Sequence, residues 1–467
     1  MPDLTSRSIR FVLAARAYQL LGKPTALAIE AVDADGRPVE EFTGTVRLHS
    51  RRRGVRLPAE VTFTAGDRGC KRAEGVIFST VGTHRLSAVD ARGEAAGESL
   101  PLIVRADLPR YELLWGDLHV HSRECGCGST SAEDCYRYAR DRAGLDFCAV
   151  TPHDRTPDCG LDGRWELWDE VRQAAAAFHE PERFVTFAGY EWAGGRDGPA
   201  GGGWGHRNVM YLGDGPLLSG GDPATSHLEG LWAALEGRSA LCIPHHPAAA
   251  LPRGCVWDHH FRHPELEPLV EVYSSWGSSE GAHDQPRRHP IIARGGEQPR
   301  GLVGAALRQG YVIGFVGGGD TRDGRPGRGT AAPTAAEPAY PAGLMGVWAL
   351  KLTREELWKA MHTRRTFATT GARIIVEFSV GSAPMGSDLV GWPGTGVSFL
   401  ARVIGTADIL EAVVVRDGED AQRVPGRGPE LEFDWTWSAQ PGQPHTYYLR
   451  VVQVDGHMAW SSPIYMG

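Results

Sequence analysis

Trp115-Gly116-Asp117-Leu118-His119-Val120-His121 sets an aspartate and two histidines at alternate positions. In a strand, a period of two places Asp117, His119 and His121 on one face. Three polar groups on one side near a strand's end are awkward for a packed core and natural for metal ligation. An HxH pair alone is weak, and the positions that follow supply its context. DFCAV leads into Thr151-Pro152-His153-Asp154, FVTFAGY into Glu191, and ALCIP into His245 and His246. His206 lies in GGGWGHRNVMY, and Asp320 follows GFVGGG. Neutral imidazoles with carboxylates suit Zn, Mn or Fe and match an all-oxygen Ca or Mg site poorly. An incidental surface or core-edge histidine is the competing reading at each position, above all at His206 and in choosing His245 over His246. The set as a whole favours ligation.

The cluster offers more donors than one ion uses. His119, His121, Glu191 and Asp320 could hold one divalent ion, and His206 and His245, with Glu191 bridging, a second. Two ions about 3.5–4 Å apart lower the pKa of a bridging water and stabilise both attacking and leaving oxygens. A binuclear hydrolase of this kind needs no protein nucleophile. No GxSxG elbow is present, and no GxGxxG or Walker A sequence follows an early strand, so serine-hydrolase and nucleotide-binding readings lack support.

Donors arriving from successive strand ends call for alternating strands and helices. Residues 110–371 carry that pattern. ELLWGDLHVH, DFCAV, FVTFAG, SALCI, LVEVY and YVIGFV alternate with helical stretches, and Thr130 with Glu133, then Thr353 with Glu356, have capping-box spacing. The alternation predicts an α/β fold, a barrel rather than a Rossmann sheet. Residues 1–109 read as a β-sandwich-like domain, with short alternating strands separated by DADG, GDRG and DARG. After a Gly/Pro/Ala-rich stretch from Gly324 to Gly343, expected to be a long loop, residues 372–467 read as a C-terminal β domain. Both flanking domains are expected to be structural.

Composition narrows the partners. The 467 residues are 42% hydrophobic and 23% charged, with a formal net charge of −8, which argues against nucleic acid. No run approaches eighteen apolar residues, so neither a membrane span nor a signal peptide is read. Eight cysteines in this length do not resemble a disulfide scaffold and suggest a reducing, cytoplasmic setting. The expected partner is a small-molecule substrate.

At WGDLHVHS, FCAVTPHD, FAGYEW, GHRNVMY, IPHHP and VGGGD, and beyond them at RRTFATTGARI and YYLRVVQVDGHMAWSSPIY, the sequence resembles the polymerase-and-histidinol-phosphatase superfamily of metal-dependent hydrolases. It looks most like a bacterial branch of unknown function with extra β domains, and is also similar to the carbamate-hydrolysing branch. The resemblance covers about residues 110–467 and implies a distorted seven-stranded (β/α) barrel with two or three metals. Carried over position by position, the family's opening pair falls on His119 and His121, its next strand-end histidine on His153, and its bridging acid on Glu191. The later histidines fall on His206 and His245, and the closing aspartate on Asp320. Two family histidines are missing: Arg322 stands in place of one, and Cys127 stands near the other. The resemblance therefore implies two ions and puts the third, with His153 as its ligand, in doubt.

Arg322 could clamp an anionic substrate oxygen, pair internally (Asp323 being one partner), or face solvent. The first role makes a phosphate ester the expected substrate. A carboxyl ester, amide or carbamate is the alternative, and His153, if without a metal, could protonate the leaving oxygen. A catalytically silent barrel used for binding or assembly is the reading from another class. It fits poorly with His119, His121, Glu191 and Asp320 together, since clustered unpaired polar groups near a core are costly.

Overall fold

The computed structural model describes residues 8–107, 109–156, 160–196, 198, 203–255, 257, 262–281, 289–293, 295–328, 340–389, 396–437 and 444–467. The chain divides into two compact units. One is Met1–Leu114 with Arg140–Gly144, and the other is Trp115–Ala139 with Leu145–Gly467.

The first unit consists of short strands in an eight-stranded and a three-stranded sheet. Alternation drives them: in Glu60–Phe63, Val61 and Phe63 are buried while Glu60 and Thr62 face water. Leu13, Ile29, Val46, Phe63, Phe78 and Ala88 belong to its core.

In the second unit a long sheet runs in the order Ala240–His245, His206–Tyr211, Val185–Ala193, Phe147–Val150, Glu112–Asp117, Leu344–Ala349, Thr366–Thr369 and on into the C-terminal strands. Leu269–Ser274 and Gly314–Gly317 pair in parallel in a separate sheet. Phe147–Val150, Ala240–His245, Leu269–Ser274 and Gly314–Gly317 are buried at every position, as strands covered on both faces must be. Beyond the strand ends, Val120 and Thr321 form a parallel bridge. Cys242 N donates to Leu266 O at 2.7 Å.

Helices Ala132–Tyr138, Trp165–Ala177, Leu228–Leu235, Val303–Arg308 and Arg354–His362 lie between these strands in sequence. Thr353 caps the last of them, accepting from Glu356 N at 3.3 Å. The first is capped by Ser131, accepting from Asp134 N at 3.1 Å, one residue beyond the expected Thr130–Glu133 pair. Thr130 is engaged elsewhere: its carbonyl accepts from Arg123 N and its hydroxyl faces Cys135 Sγ at 3.3 Å.

Residues expected on the two sides of position 371 share one hydrophobic core. Val270, Val272, Phe315 and Ala368 pack in the same cluster as Val413, Tyr448 and Trp460. Thr366–Thr369 is also hydrogen-bonded antiparallel to Met458–Ser461. Of the expected loop, Gly324–Arg328 and Tyr340–Gly343 form neither helix nor strand, and residues 329–339 lie outside the described residues. Among the described residues no helix is long and apolar enough to cross a membrane.

Candidate metal centre

The strand Glu112–Asp117 stops before the histidine pair. Asp117, expected on the same face, is held by backbone amides: Oδ1 accepts from His119 N at 3.1 Å and Gly319 N at 2.9 Å, and Oδ2 from Gly327 N at 2.9 Å. Burial pushes its carboxyl up to about 6 despite those bonds. Asp117 therefore fastens two loops together, while His119 and His121 are presented just beyond the strand. His121 N is fixed by Thr321 O at 2.9 Å.

Glu191 is the hub. It lies near the end of the strand Val185–Ala193, which is buried through Trp192, and its two carboxylate oxygens face different histidines. Oε2 lies 3.3 Å from His119 Nε2 and 3.2 Å from His121 Nε2. Oε1 lies 2.6 Å from His206 Nδ1, 3.0 Å from His245 Nε2 and 3.3 Å from His153 Nε2. Antiparallel pairing explains how His206 arrives there. It starts its strand opposite Ala193 and His245, where the two neighbouring strands end.

Asp320 completes the other side, with Oδ1 at 2.8 Å from His121 Nε2 and Oδ2 at 3.1 Å from His246 Nε2. Although so close to Oδ1, His121 Nε2 makes no hydrogen bond. Together with Nε2 of His119 the two atoms form one of the groups that could ligate a single ion. Trp276 Nε1 donates to Oδ2. Asp320 and His246 both adopt left-handed backbone, with φ of 48° and 43°. Such conformations are costly for non-glycine residues and concentrate at functional sites.

Four groups of three or more potential ligand atoms lie within 4.8 Å of one another: His119, His121 and Asp320; His153, Glu191 and His206; His119, His245 and His246; and His121, Cys125, Cys127 and His153. Every metal ligand expected from sequence is thus in one cluster. Arg322 joins it, its amino nitrogen 3.5 Å from Asp320 Oδ1, while its buried Nε makes no hydrogen bond. The partner considered from sequence, Asp323, holds Arg325 at 2.6 Å.

Electrostatics fit cation binding. Burial pushes His206 down to about 4, and it also lowers His245 and His246, leaving neutral imidazoles with lone pairs to donate. Burial works to raise Glu191 and Asp320, but the surrounding histidines, with Arg322 at Asp320, outweigh it and hold both well below the usual carboxylate range. At His119 burial is likewise outweighed, by Glu271, Asp320 and Glu191, and the imidazole lies well above its ordinary value. Three carboxylates converging on one buried ring favour positive charge there, as a proton on His119 or as a cation bound in its place. The donor set of buried imidazoles and carboxylates fits divalent transition ions.

Sequence reasoning missed Glu271, whose Oε2 lies 3.0 Å from His119 Nδ1, as a partner orienting a metal ligand does. Its signal was an acid inside the otherwise apolar run LVEVY. Two glycines of GFVGGGD are explained by buried carboxylates packed against them, Gly318 by Glu271 and Gly319 by Asp117. A Cβ on Gly318 would stand 2.0 Å from Glu271 Oε2, and one on Gly319 would stand 2.5 Å from Asp117 Oδ2. His246, passed over for His245, proves to be within reach of Asp320, and Cys125 was not singled out as a donor.

A family model described as a protein of unknown function (DUF3604) matches residues 151–283 and 317–390, a span that includes His153, Glu191, His206, His245 and Asp320. The chain is similar to an uncharacterized protein of Chlamydia pneumoniae, 30% identical over 408 residues, covering 83% of this chain and 63% of that one. A relative in Chlamydia muridarum is 31% identical over 373 residues, covering 76% and 57%. The chain thus spans less than two thirds of the length of these relatives. Among solved structures, a two-domain protein from Bacteroides vulgatus, containing a predicted PHP-like metal-dependent phosphoesterase, aligns at 15% identity with a TM-score of 0.40. The alignment covers 74% of this chain and 92% of that one.

Proposed function

We propose that the chain is a metal-dependent hydrolase acting on a phosphate ester. His119, His121, Glu191 and Asp320 would hold one divalent transition ion (Zn, Mn or Fe), and His206 and His245, with Glu191 shared, a second. The observation that carries this reading is Glu191, a buried carboxylate with each oxygen turned to a different histidine group. Two such ions would supply an activated water at neutral pH and positive charge for the attacking and leaving oxygens.

The scaffold we propose is the distorted seven-stranded barrel. Its strands would be Glu112–Asp117, Phe147–Val150, Val185–Ala193, His206–Tyr211, Ala240–His245, Leu269–Ser274 and Gly314–Gly317. The Val120–Thr321 bridge and the bond from Cys242 N to Leu266 O support that closure. The setting we propose, from the sparse cysteine usage, is reducing and cytoplasmic.

His206 and Arg322 reach solvent, with side chains 15% and 14% exposed, whereas Glu191, Asp320, His119 and His121 are at 2% or less. Substrate would enter between those two. Arg322, with its unpaired Nε, would take a phosphoryl oxygen. Asp320 would accept a proton from the attacking water, and His153, with Nε2 beside Glu191 Oε1, would donate one to the leaving oxygen when it holds no metal. The second reading is a carboxyl-ester, amide or carbamate hydrolase. It is favoured by the Arg322–Asp320 contact, which already neutralises part of the guanidinium charge.

The two separate on kcat/KM for one phosphate monoester and one neutral carboxyl ester, measured in wild type and Arg322→Ala at equal metal loading. The phosphate rate should fall about 10²-fold, taking a charged hydrogen bond as about 1.5–3 kcal/mol, with little change on the ester. A parallel fall on both substrates would make Arg322 structural and remove the preference for phosphate.

A further inference from the structure

One corner of the cluster differs chemically from the rest. The loop after His121 carries Cys125-Gly126-Cys127, and both thiols turn inward. Arg123–Cys125 forms a 3-10 turn closed by Gly126 N donating to Arg123 O at 2.8 Å, with Gly126 in left-handed backbone at φ 83°. Gly128 N donates to Ser122 O at 3.2 Å, and a Cβ at that position would stand 2.6 Å from the Ser122 backbone. The loop is therefore tightly folded, and the glycines bring the two sulfurs to the same side. Cys125 Sγ lies 2.8 Å from Cys127 Sγ. Cys127 Sγ in turn lies 3.3 Å from His153 Nδ1 and 3.4 Å from His121 Nδ1.

We propose that Cys125, Cys127 and His153 bind a thiophilic divalent cation, zinc above all, as a third metal position beside the binuclear pair. The distances carry the argument. In a tetrahedral zinc site, bonds of about 2.3 Å to sulfur and 2.0–2.1 Å to nitrogen separate a sulfur from a nitrogen by roughly 3.5 Å. That is close to the Cys127–His153 spacing. Two sulfurs on zinc stand roughly 3.8 Å apart, so binding would open the thiol pair by about an ångström. The Cys125 side chain is fully buried, which suits a ligand shielded from oxidants.

Division of labour between the ring nitrogens keeps this site distinct from the pair. His121 directs Nε2 at Glu191 and Asp320, leaving its Nδ1 to donate to the Cys127 sulfur. His153 directs Nδ1 at Cys127 and Nε2 at Glu191 Oε1. A cation on Nδ1 leaves the His153 proton on Nε2, the atom that faces Glu191 Oε1, and so fixes the tautomer that orients Glu191; with this position filled, the leaving oxygen would take its proton from water. Binding requires both sulfurs as thiolates and displaces whatever protons they carry. Donor softness sets the selectivity: thiolates favour zinc, whereas manganese should be confined to the imidazole–carboxylate pair.

The test is stepwise cobalt(II) titration of the metal-stripped full-length chain. It follows the near-ultraviolet sulfur-to-cobalt charge-transfer band, with bound metal counted by elemental analysis. A charge-transfer band that saturates with about one equivalent, and disappears in Cys125→Ser/Cys127→Ser while the remaining cobalt stays bound, is the expected result. Zinc should displace the band-forming ion and manganese should not. Wild-type protein that binds cobalt without the band overturns the thiolate site and leaves the binuclear reading standing. A band with no further equivalents overturns the binuclear reading and leaves the thiolate site standing. Thiols that resist alkylation until treated with a reductant would show a Cys125–Cys127 disulfide, and would also overturn the proposal.

Discussion

Two buried histidines, one in each unit, show what separates a packing residue from a ligand. His84 and His119 are both at 0% exposure. His84 packs edge-on against Phe78, with ring centroids 5.0 Å apart, and its Nε2 meets the carbonyl of Thr80 at 2.8 Å. Burial lowers its pKa, so it sits in the first unit as a neutral aromatic. His119 meets carboxylates on every side, Glu271 at Nδ1 and Glu191 and Asp320 at Nε2. Their charge reverses the effect of burial. An unpaired ring nitrogen does not distinguish the regions, since His84 Nδ1 and His245 Nδ1 are both without a hydrogen bond. Convergence of acids and imidazoles on shared points does.

The sharpest break of that contrast is Glu191→Gln. Because both oxygens of Glu191 serve the cluster, bound manganese, which the thiol corner should not take, should fall from about two equivalents to below about one, measured by elemental analysis after dialysis. His153→Ala should remove at most one ion. Equal loss in the two variants would deny Glu191 its bridging role. Glu271→Gln comes next. It keeps every proposed ligand but loses the carboxylate behind His119, and metal affinity should drop about 10–100-fold. Unchanged affinity by competition with a chelator would make Glu271 a bystander. Gly318→Ala should act in the same direction, by about tenfold or less, because its new Cβ would stand 2.0 Å from Glu271 Oε2. The smallest effect belongs to His84→Leu, a change within about 1 kcal/mol in urea unfolding with no change in bound metal. Metal loss there would erase the distinction between the two regions.

How much of this could be read from the sequence follows from where each signal lies. His119, His121, His153, Glu191, His206, His245 and Asp320 each follow or open a strand-like run, so local pattern was enough to nominate them. Asp117 shares the HxH spacing, yet its carboxylate binds amides from Gly319 and Gly327, contacts that no local period encodes. Glu271 lies inside an apolar strand and meets His119 from 152 positions away, which only the fold can reveal. The short first strand has the same cause: once past Asp117 the chain bonds to the Thr321 backbone, and the alternation that suggested a longer strand ends. At position 371 the return to β pattern was visible, but the shared core of Ala368 with Val413 and Trp460 was not. Strand alternation records that a face is buried and leaves its partner unspecified.

The central claim is that the buried imidazoles and carboxylates around Glu191 exist to hold metal. Its most direct test is elemental analysis of the full chain purified without chelator and, separately, after stripping and reconstitution with Zn, Mn or Fe. The account predicts about two or more equivalents of transition metal per chain, restored on reconstitution. A folded chain that is metal-free as isolated and takes up none of the three would contradict it.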